Sequence, residues 1–112
     1  VRVLVEVNIA GELTKGGIVA AQIPAFIDEI SCHPDLEVGG LMAMPPAVTD
    51  PDDNRVHFAA TRALRDDLRA RWAGRHGFEE LSMGTSQDYV VAVEEGATMV
   101  RVGRGLIDEA RA

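Results

Sequence analysis

The feature that most constrains this chain is an alternation of short apolar runs with longer amphipathic stretches. Val3 to Ile9, Leu36 to Met42, Leu81 to Met83 and Thr98 to Val102 are short, rich in β-branched or long aliphatic residues, and bounded by Gly, Pro, Asn or Ser. That pattern predicts four strands. Three of them are followed by segments of helical period, and alternating strands and helices pair in parallel through right-handed crossovers. The expected class is therefore α/β with a parallel sheet.

The first helical segment carries Ile18, Ala21, Ile23, Phe26, Ile27 and Ile30, with Pro24 inside it. Proline is tolerated only in a first turn, so the helix either begins at Pro24 or kinks there. The second is expected from about Asn54 to Arg75, with Val56, Ala60, Ala63, Leu64, Leu68 and Trp72 at helical spacing and Gly77 as its stop. A third, of about three turns, is expected to start at Ser86 as N-cap, carry Asp88 in its first turn, bury Tyr89, Ala92 and Val93, and end at Gly96. The longest loop follows the second strand, from Met42 through Pro45 and Pro46 to Asp53, where a parallel barrel places binding residues.

With 112 residues, 46% hydrophobic and 26% charged, the chain has the makeup of one soluble domain. A net charge of −7 argues against nucleic acid, whose phosphates need a basic footprint. No run approaches the roughly 18 apolar residues of a membrane span, so no membrane partner is expected. The lone Cys32 cannot form an internal disulfide, and a cytoplasmic location is the expectation. Asp50, Asp52 and Asp53 lack the spacing and glycine of a calcium loop. His33, His57 and His76 share no face, so neither a zinc site nor a Cys-His nucleophile is predicted.

Chemistry concentrates at two strand ends. Met83-Gly84-Thr85-Ser86-Gln87-Asp88 runs from a strand through a small-residue turn into a helix, whose first amides and positive dipole end attract an anion. An ordinary N-cap is the competing reading. The next strand ends in Arg101-Val102-Gly103-Arg104-Gly105, and two adjacent loops of bare backbone donors match the phosphate sites of (β/α)8 barrels. Arg101 alternates with Met99 and Val100 within the strand, so it is expected to lie near the barrel axis, where it contacts a ligand or forms a structural salt bridge. Asn8 and Met42 stand at the ends of the first two strands, facing a ligand or filling space.

Four segments in order carry a family resemblance: Val7-Asn8-Ile9 with Glu12 and Lys15-Gly16-Gly17; Gly40-Leu41-Met42-Ala43-Met44-Pro45; Leu81 to Asp88; and Thr98-Met99-Val100-Arg101-Val102-Gly103. Together, over nearly the whole chain, they resemble the pyridoxal phosphate homeostasis protein family. The resemblance implies a barrel like the N-terminal domain of alanine racemase, of which residues 1–112 form the C-terminal half. The expected architecture is then half of a TIM-type (β/α)8 barrel, about four parallel strands alternating with helices. It also implies pyridoxal 5′-phosphate at the C-terminal mouth, with Ser86 and the amides near Gly103 on the phosphate, and Gly84, Thr85, Asn8 and Met42 around it. Arg101 would face the pyridine nitrogen and keep it unprotonated, which suits storage of the cofactor better than transamination.

Two departures from the family accompany this. The family's cofactor-linking lysine lies on the first barrel strand, in an N-terminal half that is absent here, and the single lysine, Lys15, belongs to a different motif. Arg104 stands where the family has a small hydroxyl residue that touches phosphate, so as a candidate cofactor-binding residue it would add a cation to the site or displace the anion geometry. The expected function is non-catalytic binding and homeostasis of pyridoxal phosphate, without a covalent link in this chain. The alternatives are a racemase-like enzyme when complete, and a half-barrel assembly piece. An opening inside a strand and open sheet edges lead to an expected association with a second copy or with a complementing N-terminal half.

Overall fold

The structure, a computed structural model, describes residues 1–12 and 16–103. Arg2–Asn8 (β1), Glu37–Ala43 (β3) and Glu80–Met83 (β4) are the main strands, and Ile18–Val19 (β2) is a two-residue addition on the outer edge of β1. The sheet order is β2-β1-β3-β4, with every pairing parallel. Helix α1 spans Ile23–Ile30, α2 Arg55–Arg71 and α3 Tyr89–Glu94, with short 3-10 turns at Ala20–Gln22 and Pro51–Asn54. The parallel α/β class is as expected, and no described helix is long and apolar enough to cross a membrane.

Alternation within the strands makes the core. Val5 and Val7, Leu41 and Ala43, and Leu81 and Met83 are all buried and form one cluster with Ile23 and Ile27 of α1, Phe58 and Leu68 of α2, and Val91 and Ala92 of α3. Each fully buried large aliphatic or phenyl side chain in such a layer contributes about 2–3 kcal/mol. The opposite sheet face carries Leu4, Glu6, Asn8, Met42 and Ser82, all half-buried. That face is mixed in polarity.

Several boundaries differ from expectation, each for a local reason. Helix α1 begins at Ile23 with Pro24 in its first turn, as proline requires. Helix α2 ends at Arg71, short of Gly77, and its inward residues are Phe58, Thr61 and Leu68, while Val56, Ala60 and Ala63 are exposed. Two stripes run along this helix, and the one holding the phenyl ring buries more area than the one holding two alanines. Helix α3 has six residues, not three turns, and turns Tyr89 and Val93 outward while burying Val91 and Ala92.

The predicted fourth strand, Thr98 to Val102, is not a ladder. Only Ser82 and Met99 form a bridge. The segment lies along β4 through Met83 N–H to Met99 O at 3.0 Å, but the Leu81 N–H bonds to the Thr98 hydroxyl oxygen at 2.8 Å, so a side chain replaces a backbone rung.

At the N-terminal end of the strands, the buried His76 ties three elements together. The Val38 N–H donates to His76 Nδ1 at 3.0 Å, so the proton sits on Nε2, which faces the Ser31 hydroxyl at 2.8 Å. Ser31 in turn donates to Ile27 O at 2.5 Å. The Arg75 guanidinium donates to the carbonyls of Leu36, Ser31 and His33 at 2.7, 3.1 and 2.8 Å. These bonds fix the N-terminal end of the sheet to the end of α1.

Candidate functional site

The C-terminal ends of β3 and β4 open on a cleft of about 40 Å³ lined by Met42, Met44, Ser82, Gly84, Asp88 and Arg101, among others. That volume admits a water or two, so no larger group fits wholly inside it. Three chain segments meet here: the loop after β3, the turn after β4, and the segment that ends at Gly103. Arg101 reaches the cleft because its N–H donates to Gly84 O at 3.0 Å, one step beyond the end of β4.

The Arg101 side chain is exposed, and its Nη1 rests 3.6 Å from Met44 Sδ. Among the described residues it forms no ion pair, so the structural salt bridge weighed from the sequence is absent. A cation beside an apolar cleft with no carboxylate partner is suited to an anionic or π-electron-rich ligand.

The turn after β4 is organised by Asp88, which is 6% exposed. Its Oδ1 accepts the Thr85 N–H at 2.7 Å and the Thr85 hydroxyl at 3.1 Å, and its Oδ2 accepts Asn54 Nδ2 at 3.1 Å. These bonds close the turn before α3, whose N-cap is Asp88 itself and not the expected Ser86. Both donors of Thr85 are thereby committed to Asp88, so they are not directed at a ligand. Gly84, expected near the phosphate, makes a close approach to α3, where an added Cβ would stand 2.7 Å from Ala92 Cβ. Its φ of +104° is one that L side chains rarely adopt.

The loop after β3 is fastened to that turn. Asn54, 1% exposed, also donates Nδ2 to Pro46 O at 2.9 Å, and Gln87 Nε2 donates to Val48 O at 2.7 Å. Asn54 Oδ1 is buried without a partner among the described residues. Outside this mouth, Arg55 bonds Glu94, Asp52 and Glu95 at 2.7, 2.8 and 2.8 Å, which holds the start of α2 to the end of α3. Those three acidic partners, Glu94 foremost, push the guanidinium above its ordinary range. Asp50 caps the 3-10 turn by accepting Asp52 N–H at 3.0 Å, so the acidic loop is structural. No cluster of metal ligands occurs among the described residues.

Asn8 and Met42 are not at equivalent depths, since β1 pairs Glu6 with Met42 and Asn8 lies two residues nearer the mouth. Asn8 closes its own loop, donating Nδ2 to Glu12 O at 2.5 Å and accepting Glu12 N–H at 3.1 Å. Met42 lines the cleft. Gly103 is exposed at the end of the described chain. Lys15 and Arg104 lie outside the described residues. The positions missed from the sequence are Asn54 and Asp88 as hubs; the hydroxyl-x-x-acid pattern from Thr85 to Asp88 was a signal for the second, while nothing local marked the first.

Comparison with known proteins follows the same outline. The pyridoxal phosphate homeostasis protein of Aquifex aeolicus is 42% identical over 107 residues, covering 96% of this chain and 46% of that protein. The protein of the same name from Deinococcus radiodurans is 44% identical over 96 residues, 86% of this chain and 41% of that one. The chain thus spans a little under half the length of these relatives. Among solved structures, PipY of Synechococcus elongatus without PLP superposes with a TM-score of 0.83 at 30% identity, covering 94% of this chain and 48% of that one. The form with PLP bound gives 0.78 at the same identity. The family model described as the alanine racemase N-terminal domain matches residues 1–108, and the chain belongs to that family.

Proposed function

We propose that this chain supplies the phosphate side and the pyridine-nitrogen contact of a pyridoxal 5′-phosphate site, in a carrier with no reaction of its own. The observation that carries this is Arg101, a cation with no anionic partner among the described residues, at a mouth where three loops converge. Of the proposed donors, Arg101 lines the cleft, and Ser86 and Gly103 stand on the two segments that bound it. Ser86 and the amides near Gly103 would hold the phosphate, Arg101 would lie at the ring nitrogen, and Met42 and Gly84 would shape the floor. Thr85 serves by shaping the turn, because Asp88 engages its donors. When bound, the cofactor supplies an aldehyde and an electron-withdrawing ring. Arg101 keeps the ring nitrogen unprotonated, which weakens that withdrawal and favours storage.

Two facts support a carrier over an enzyme. The relatives are named homeostasis proteins. Tyr89, the one tyrosine, does not line the cleft, although it is exposed and not buried as the sequence implied. The test is a titration with pyridoxal 5′-phosphate, pyridoxal and inorganic phosphate. Binding is expected to be saturable and non-covalent, leaving the chain mass unchanged after borohydride. Arg101→Ala is expected to weaken pyridoxal 5′-phosphate and pyridoxal alike by about tenfold, while Ser86→Ala weakens only the ligands that carry phosphate. Tight binding by both variants would refute the assignment.

The association expected from the sequence also has a physical basis. Val3, Leu4, Val5, Phe26, Ile30 and Leu36 line an open apolar groove of about 290 Å³ along the β1 side of α1. A complementing N-terminal half of a barrel, or a second copy, would cover it. Sedimentation at micromolar concentration is expected to show a species larger than the monomer, and a clean monomer that binds no N-terminal half would count against it.

A further inference from the structure

We propose that Asn54 and Asp88 are positioning residues, a buried latch that sets the anion-binding turn against the loop after β3. This rests on the reading that the mouth holds a phosphate group, and it goes beyond that reading in naming what holds the turn in place. A carboxylate beside a phosphate site repels the ligand, so attraction cannot explain Asp88. What its geometry does explain is shape. Its three donors come from both sides of the mouth: the N–H and hydroxyl of Thr85, and the amide of Asn54. Ser86 is thereby carried on a turn anchored at the residue before it and at Asp88 two positions after it.

Asn54 uses both Nδ2 hydrogens as a bridge, one to Asp88 and one to Pro46 O in the facing loop. Both hub residues are almost wholly buried, so water competes little for these bonds. An exposed strap, Gln87 to Val48 O, runs alongside them. The two loops are therefore joined through side chains at the mouth, which is where pre-organisation of a ligand site acts.

The test compares pyridoxal 5′-phosphate and inorganic phosphate with pyridoxal, which lacks the phosphate. Asp88→Asn and Asn54→Ala are expected to weaken the two phosphate ligands by about tenfold and pyridoxal by less than about threefold. Equal losses for all three ligands, or no loss for the phosphate ligands, would overturn the proposal. If those variants do not fold, Gln87→Ala decides by the same ratio, because Gln87 is exposed and its loss leaves the core intact. If the parent chain binds none of the ligands, the reading of function fails, and the latch is then judged by amide hydrogen exchange. Faster exchange at Thr85 in Asp88→Asn, without faster global unfolding, supports it; unchanged exchange at Thr85 sinks it.

Discussion

His76→Ala is expected to cost about 3 kcal/mol of folding stability at pH 7.5, read as a lower urea midpoint at unchanged slope. The ring is 3% exposed and stands between Trp72 and Phe78, with centroids 5.5 and 6.0 Å away. Removing it leaves a void in this aromatic stack. It also strands the Val38 N–H at the start of β3, while the Ser31 hydroxyl loses its contact with Nε2 and keeps its bond to Ile27 O. His76→Gln offers a carbonyl to Val38 and an amide to Ser31, so it is expected to recover a large part of the loss. An alanine variant as stable as the parent would show that these contacts contribute nothing.

The same residue sets a pH dependence. Burial, and then the charge of Arg75, lower the His76 pKa from its ordinary 6.5, with Glu37 opposing. Geometry agrees, because Nδ1 faces two donors, the Val38 N–H and Arg75 Nη1 at 3.4 Å, and has no room for a proton. The folded state thus binds fewer protons than the unfolded chain. The His76 contribution is complete above pH 6.5 and is lost as pH falls from there through the depressed folded value. Between pH 7.5 and 5.5 the parent chain is expected to lose more stability than His76→Gln, whose side chain does not titrate. Parallel curves for the two proteins would contradict the assignment.

The legible parts of this fold are those in which local pattern and tertiary burial coincide. Val5, Val7, Leu41 and Leu81 announce strands because β-branched and aliphatic residues at alternate positions have one face to bury, and that face is the core. Where a segment offers two answers, packing chooses. Helix α2 carries competing stripes and buries the one with Phe58, and Val56 is left 67% exposed. Thr98 to Val102 has strand composition, yet the Thr98 hydroxyl takes a bond that a strand would give to a carbonyl. The site divides in the same way. Arg101 was legible as a cation at a strand end, whereas the roles of Asn54 and Asp88 arise from a contact across 34 residues that no local spacing encodes.

Gly84→Ala is expected to destabilise the chain by about 3 kcal/mol and to abolish phosphate-dependent binding. Two independent penalties combine. The first is conformational: a φ of +104° disfavours any side chain. The second is steric, since the new Cβ would stand 2.7 Å from Ala92 Cβ and 3.3 Å from both Tyr89 Cα and Val100 Cγ1. Neither α3 nor the segment from Thr98 can retreat freely, because the Arg101 N–H bonds to Gly84 O at 3.0 Å and Ala92 is fully buried. The penalties separate in a double variant. Ala92→Gly removes the atom that is struck, so Gly84→Ala in that background should cost about half as much, the remainder being backbone strain. If Ala92→Gly rescues nothing, the clash is relieved by movement of the turn, and the loss of ligand binding should then exceed the loss of stability.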